Sequence, residues 1–474
     1  MHGEQRRRSD MLAEMQVFGH AAADVGDADV LIRRTYDHVK LQVCAGIHVW
    51  IVGTSKIAIP TSVPLRAAEV FCDRAIIEYY QEILTMDIYE IYEHLETAEG
   101  IASLLALDDF TPVYELADRI RAEHVGDIVH LRAIIEFSNV CKRQCIYCGL
   151  NRENRELERF RMSRDEIIEA AAEAVDAGYR TIVLQSGEDD GTPPEDIVEI
   201  IKDIKKLRIR DPWTFAESPS VSEVAPPAIS SFVGSRQSVE GSAPAAKQAA
   251  EQLAPISDPY SPAITLSCGE KSEAVYRLWR EAGAERYLLK HETADPELYD
   301  RLHPCGTLDS RVKCLKTLRA LGYETGSGFM IGLPGQTLET VAKDILLLKS
   351  IPCRMAGIGP FISNPRTPLA GSPDGDPELA RRAVAVARLL LPDSNLPLTT
   401  SLSILAGKEQ YDPGEPLVVE NPFAFGANVV MKKATPDKYK EAYEIYPAQF
   451  KPTHIAEDRK ELEEMIMRCG RRPR

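Results

Sequence analysis

From about residue 93 to 207, and again from 263 to about 430, short apolar runs alternate with longer segments. In the longer segments apolar residues recur every three or four positions, the period of an amphipathic helix, whereas the short runs fit buried strands. Eight candidate strands result, at 132–137, 181–185, 263–267, 286–290, 325–331, 355–360, 398–401 and 427–431. Helical signals separate most of them. One helix opens with a capping box, Ser163 to Glu166, and stops at Gly178. Another starts at Pro193 and lines up Ile197, Ile200, Ile201, Ile204 and Leu207 on one face. A third ends at Gly283. This alternation predicts an α/β fold, a (β/α)8 TIM-type barrel with an N-terminal helical extension and C-terminal helices. The competitor is an open doubly wound sheet, which usually carries a dinucleotide fingerprint after its first strand. None is present: Gly326, Gly328 and Gly332 have the wrong spacing and lie in a predicted strand.

The pattern divides the chain. Residues 1–92 have no clear period and form an unassigned extension. The barrel is expected over 93–430, and 431–474 as a helical segment with a basic tail, Arg471 to Arg474. Within the barrel, 208–262 is rich in Ser, Pro, Ala and Glu. That composition buries too little apolar surface to offset its ordering entropy, so a disordered insertion is expected.

Composition narrows the function. The net charge of −16 argues against nucleic acid as main partner. No apolar run reaches the ~18 residues of a membrane span, and Arg6, Arg7 and Arg8 precede no secretory apolar stretch. The expectation is a cytoplasmic protein, or one in another reducing compartment such as an organelle. Ten cysteines in 474 residues are too sparse for a disulfide scaffold, and three of them, Cys141, Cys145 and Cys148, fall within eight residues.

Those three follow the first predicted strand, and a barrel puts that loop at its C-terminal mouth, where active sites form. Closed structural zinc needs four ligands, and no fourth Cys or His follows nearby. A four-iron cluster on three cysteines leaves one iron open. Zinc completed by a distant ligand, or chance clustering, is the alternative.

The spacing CxxxCxxC, with Tyr147 before the last Cys, resembles the signature of the radical S-adenosylmethionine (SAM) superfamily. The segments 132–141, 182–189, 286–294, 322–337, 357–362 and 390–397 resemble, within it, the HydE family of FeFe-hydrogenase maturases. The resemblance implies one 4Fe-4S cluster on Cys141, Cys145 and Cys148. It also implies SAM on the open iron, cleaved reductively to a 5′-deoxyadenosyl radical, in assembly of the hydrogenase H-cluster. By the same resemblance Tyr147, Gln185, Ser186, Gly187, Glu188, Thr265, Ser267, Glu292 and Arg311 line the SAM site. Arg286, Lys290, Met355, Thr399, Thr400 and Tyr443 match the substrate chamber. No residue is assigned as acid or base. Implied partners are the maturases HydG and HydF, a small-molecule or organometallic substrate, and a one-electron reductant such as ferredoxin. The chain departs from the family in two places. Lys290 stands where Arg is usual, and Lys451, Arg459 and Leu462 replace a second cysteine group, so no accessory cluster is expected. Other readings are a different radical SAM barrel, of the biotin synthase or methylornithine synthase kind, and a non-enzymatic iron–sulfur carrier.

Overall fold

The computed structural model describes residues 91–209, 258–409, 421–443 and 454–474, the isolated positions 445 and 452, and the backbone of short strands between 29 and 60. The expected insertion falls mainly on 210–257, outside the described residues, as does 410–420 in the seventh-to-eighth connection.

Eight strands form the barrel: β1 Ile128–Ser138, β2 Thr181–Ser186, β3 Ala263–Ser267, β4 Arg286–Leu288, β5 Glu324–Ile331, β6 Met355–Pro360, β7 Pro397–Leu398 and β8 Val429–Lys433. All neighbouring pairs are parallel, and the hydrogen-bonded order runs β6-β5-β4-β3-β2-β1-β8-β7. The remaining gap, between β7 and β6, is bridged. Ala356 N–H donates to the Asn395 carbonyl at 3.0 Å, and Asn395 N–H donates to the Arg354 carbonyl at 2.9 Å. The sheet therefore closes, which removes the doubly wound alternative. Strands covered on both faces need apolar residues at successive positions, and Ile182, Val183 and Leu184 are all buried.

The helices are α1 Ala98–Leu105, α2 Thr111–Val125, α3 Arg164–Asp176, α4 Pro194–Lys206, α5 Glu273–Ala282, α6 Pro296–Leu302, α7 Leu308–Ala320, α8 Leu338–Ser350, α9 Pro377–Leu390, α10 Thr400–Glu409, α11 Asp437–Lys440 and α12 Ile455–Arg468. The capping box of α3 is formed: Ser163 accepts from the Glu166 amide, and the Glu166 carboxylate accepts from Ser163 N–H at 2.8 Å. In α4, Ile197, Ile200, Ile201 and Ile204 are buried as the pattern requires. Gly283 ends α5 at φ 118°, a left-handed conformation that suits glycine. Ahead of β1, helices α1 and α2 pack on α8 and α9. A C-terminal strand, β9 Arg472–Pro473, pairs with the start of β1.

Three expectations change. The described backbone between 29 and 60 is an antiparallel sheet with successive hairpins, Val39–Cys44, Ile47–Val52 and Ser55–Pro60, and not helical. It belongs to a compact unit, Met1–Glu90, separate from Ile91–Arg474. The fourth strand stops at Leu288, because the chain turns into the loop that carries Glu292. The seventh is reduced to two residues, since Thr400 already starts α10.

Candidate active site at the mouth of the barrel

After Ser138 the chain leaves β1 and runs through an irregular loop holding Cys141, Cys145 and Cys148. Side chains supply the hydrogen bonds that regular structure would. The Arg159 guanidinium donates to four carbonyls, of Asn139 (2.7 Å), Leu150 (2.9 Å), Asn151 (2.6 Å) and Asn154 (3.2 Å). It thereby ties together both flanks of the loop. Asn139 donates to the Glu158 and Ala442 carbonyls, each at 2.7 Å, and Gly149 N–H donates to the Ile445 carbonyl at 3.0 Å.

The three cysteines carry no disulfide. Among the described residues no three His, Cys, Asp or Glu side chains converge on a position for a single ion. Separate thiols on one fixed loop suit a cluster in which each sulfur binds its own iron. Burial pushes all three thiols up, Cys145 to about 12. In the protein alone they are neutral, and binding iron is what makes them thiolates.

The turn after β2 is built against this loop. Gly187 N–H donates to the Ser138 carbonyl at 3.0 Å, Lys142 N–H donates to the Glu188 carbonyl at 2.9 Å, and Glu188 N–H lies 3.4 Å from Cys141 Sγ. A Cβ on Gly187 would stand 2.3 Å from the Val140 carbonyl oxygen and 2.8 Å from Cys141 Cβ, so only glycine fits. The Glu188 carboxylate is buried and pairs with Arg143 at 2.8 Å. Arg143 reaches Glu270 at 3.4 Å, and Glu270 accepts from Arg311 at 2.7 Å. This chain of alternating charge joins the cysteine loop, β2, β3 and α7. Arg311 is buried and also donates to the Lys290 carbonyl at 2.8 Å.

The other expected SAM residues gather at the same end. Tyr147 shares a 2.9 Å hydrogen bond with His303 and packs beside Leu298, Leu302 and Phe361. Gln185 donates to the Tyr443 hydroxyl at 3.1 Å, and the Ser186 hydroxyl donates to the Gly187 carbonyl at 2.8 Å. Glu292 has φ 66°, a strained value for a residue with a Cβ, and its carboxylate lies 3.1 Å from Lys290 Nζ. Thr265 departs from the expected group: it pairs in strand register with Arg286 and lines the lower interior with Arg132 and Met355, its Oγ1 buried without a protein partner, while Ser267, at the end of β3, is half-buried.

The expected chamber residues divide. Tyr443 and Lys290 lie toward the cysteine end. Arg286 lies at the opposite end: it opens β4, pairs with Glu324 at 2.7 Å and donates to Thr181 at 3.2 Å, both first residues of their strands. It closes the barrel floor. Met355 is also low. Its sulfur lies 2.9 Å from Arg132 NH1, and since β1 and β6 are not neighbours, that contact crosses the interior. Thr399 Oγ1 lies 3.4 Å from the Leu402 amide at the start of α10, and Thr400 is the first residue of that helix.

Sequence reasoning missed Arg143, Glu270, Arg159, His303 and Arg132. Arg143 stood in plain view between two cysteines. Arg159 gave no signal, because its partners are backbone carbonyls. Arg132 is buried, and its Nε has no partner; burial pulls its guanidinium down to about 9. No helix of the described residues is long and apolar enough to cross a membrane.

A closed parallel barrel with this loop defines the radical SAM class, and the family model described as the Radical SAM superfamily matches residues 135–348. The chain is 41% identical over 367 residues to the FeFe hydrogenase maturase subunit HydE of Thermotoga maritima, covering 76% of this chain and 88% of that one. The chain belongs to the HydE family within that superfamily. It is also 25% identical over 310 residues to the 3-methylornithine synthase of Methanosarcina acetivorans, covering 65% of this chain and 73% of that one. A crystal structure of methylornithine synthase superposes with a TM-score of 0.56 at 21% identity, covering 81% of this chain and 97% of that one. That likeness shows the fold.

Proposed function

We propose that the chain cleaves SAM reductively and acts in assembly of the FeFe-hydrogenase active-site cluster, with Cys141, Cys145 and Cys148 holding a 4Fe-4S cluster. The observation that carries this is the braced three-cysteine loop at the mouth of a closed barrel, in a chain 41% identical to a HydE. When bound, the cluster supplies the electron that splits SAM into methionine and a 5′-deoxyadenosyl radical.

The chain's own residues bind, orient and enclose. Arg311 offers a guanidinium to the SAM carboxylate, a pairing that can use two parallel hydrogen bonds. Glu292 accepts from ribose hydroxyls. Tyr147 borders the nucleoside, and the Ser186–Gly187–Glu188 turn brings backbone close to the amino group. Glu188 itself is held by Arg143, so it braces the cysteine loop as well. At the floor Arg286 pairs with Glu324, and the closed ring of strands above it is the wall that keeps a radical from solvent. Between floor and mouth, Arg132 and Met355 offer positive charge and a soft sulfur to an anionic or organometallic substrate. In this reading HydG supplies that substrate, HydF receives the product and a ferredoxin-type reductant supplies the electron.

Anaerobic reconstitution followed by dithionite and SAM tests the chemistry. Wild type is expected to release 5′-deoxyadenosine, and Cys145→Ser to lose both the cluster signal and cleavage. Cleavage retained by Cys145→Ser refutes the ligand assignment. Complementation separates the pathways: the gene restores hydrogenase activity to a maturase-deficient host, whereas restoration of pyrrolysine synthesis instead selects the methylornithine reading.

A further inference from the structure

Behind Glu292 lies a buried polar group for which the proposed chemistry has no use. His291, Ser327 and Asp344 have no exposed surface. The Ser327 hydroxyl donates to the Leu289 carbonyl at 3.0 Å, so it accepts from His291 Nδ1 at 2.9 Å. That fixes the tautomer. His291 Nε2 is then an acceptor with no hydrogen-bond partner in the protein, since Asp344 Oδ1 stands 3.7 Å away, beyond hydrogen-bond reach. Asp344 Oδ1 also accepts from the Ala294 amide, and Oδ2 accepts from Gln336 at 3.3 Å. Burial pulls His291 down to about 3 and pushes Asp344 well up. At neutral pH the imidazole is uncharged. Donors then run from His291 Nδ1 through the Ser327 hydroxyl to the Leu289 carbonyl.

The anchor points bracket one residue. On the β4–α6 connection, Ser327 ties Leu289 and His291 to β5, and Asp344 ties Ala294 to α8. Glu292 lies between them at φ 66°. Its amide donates to the Gly328 carbonyl at 3.0 Å, and its carbonyl accepts from Met330 at 3.3 Å. A left-handed backbone strains a residue with a Cβ, and it persists only where the surroundings hold it.

We infer that two buried anchors, the His291–Ser327 hydrogen bond before Glu292 and the Asp344 carboxylate on the Ala294 amide after it, act as a positioning device that holds Glu292 in its left-handed conformation and so aims its carboxylate at the SAM ribose. This rests on the reading that Glu292 binds the ribose. Buried polar groups that serve stability alone are commonly replaceable by apolar side chains at little cost. These terminate on the three residues that frame Glu292.

The test uses full-length, anaerobically reconstituted protein and calorimetric titration with S-adenosylhomocysteine, which needs no turnover. Glu292→Ala is expected to weaken binding by about tenfold or more. His291→Leu is expected to weaken it to a similar degree with iron content unchanged. His291→Asn, which keeps a donor for Ser327, is expected to recover to within about threefold of wild type. The double variant Glu292→Ala with His291→Leu is expected to bind no worse than Glu292→Ala, because the anchor acts through that carboxylate. If Glu292→Ala binds normally, the ribose assignment itself fails. If Glu292→Ala loses affinity while His291→Leu does not, or if His291→Asn is no better than His291→Leu, the positioning role is overturned. Should His291→Leu fail to fold, Ser327→Ala removes a single acceptor. It is expected to weaken binding severalfold and speed amide exchange at 291–294; normal affinity in Ser327→Ala overturns the inference.

Discussion

Gly187→Ala is the sharpest perturbation of the cluster loop. The added Cβ stands 2.3 Å from the Val140 oxygen, 2.8 Å from the Val140 carbonyl carbon and 2.8 Å from Cys141 Cβ. Side-chain Cβ atoms essentially never approach closer than 3.0 Å, so the segment must move by at least 3.0 − 2.3 = 0.7 Å. Two of the three obstacles are backbone, which cannot swing away as a flexible side chain would. Nor is Val140–Cys141 free to yield, since Asn139 is pinned by Arg159 and by its own amide. Overpacking of this kind costs about 1–3 kcal/mol. The displaced atom belongs to a cysteine proposed as an iron ligand, so the expected phenotype is cluster loss in a protein that still folds. Iron and sulfide analysis after anaerobic reconstitution reads this out, beside thermal unfolding of the apoprotein. Gly357→Ala is the control, because its Cβ would meet nothing closer than 3.9 Å. Full iron content in Gly187→Ala, with normal SAM cleavage, would refute the argument that the β2 turn and the first cysteine are packed backbone against backbone.

Other outcomes follow from the same contacts. Arg159→Met removes a donor shared by four carbonyls; apoprotein stability in urea is expected to fall by about 2 kcal/mol or more, with faster iron loss to a chelator. Arg286→Gln breaks the floor pair and is expected to leave S-adenosylhomocysteine affinity within about threefold of wild type; a larger loss contradicts its place at the floor. Apoprotein stability is expected to decline as pH falls below ~6.5, because burial holds His130 at about 4 and both His291 and His303 at about 3. The unfolded chain then binds protons that the native state refuses, costing at most about 1.4 kcal/mol per pH unit per histidine until the folded values are reached. His130→Gln is expected to flatten part of that slope in pH-dependent thermal melts.

The barrel was readable because parallel strands advertise themselves twice, as apolar runs and as spacers between amphipathic helices. Strand bounds failed where polar chemistry interrupts that rule. The segment at 289–290 looks like a strand continuing into Lys290, yet the backbone turns away to place Glu292. The cysteine loop was readable from spacing alone. What holds it was not: the partners of Arg159 are carbonyls, and every residue has one. Lys290 shows the same limit. By likeness it belongs to the substrate chamber, but its ammonium lies on Glu292. Residue type and position along the chain say where a side chain starts, and only packing says where it ends.

That distinction bears on how the site divides its labour. The mouth concentrates charge: Glu188, Arg143, Glu270 and Arg311 alternate in sign and lock four segments around the cysteines. Charged groups so closely paired change little when a charged nucleotide arrives, so the site is organised before binding. The interior below is the opposite. Arg132 has an unpartnered Nε and Thr265 an unpartnered hydroxyl, both buried. Buried donors without acceptors cost free energy that a ligand can recover. The satisfied network suits SAM, which every turnover must place identically against the iron. On the proposed function, the unsatisfied pair suits the second substrate, if anionic groups on it supply the acceptors those residues lack. On that same reading, a barrel arranged this way would bind its two reactants by different means, rigid charge for one and unmet hydrogen bonds for the other.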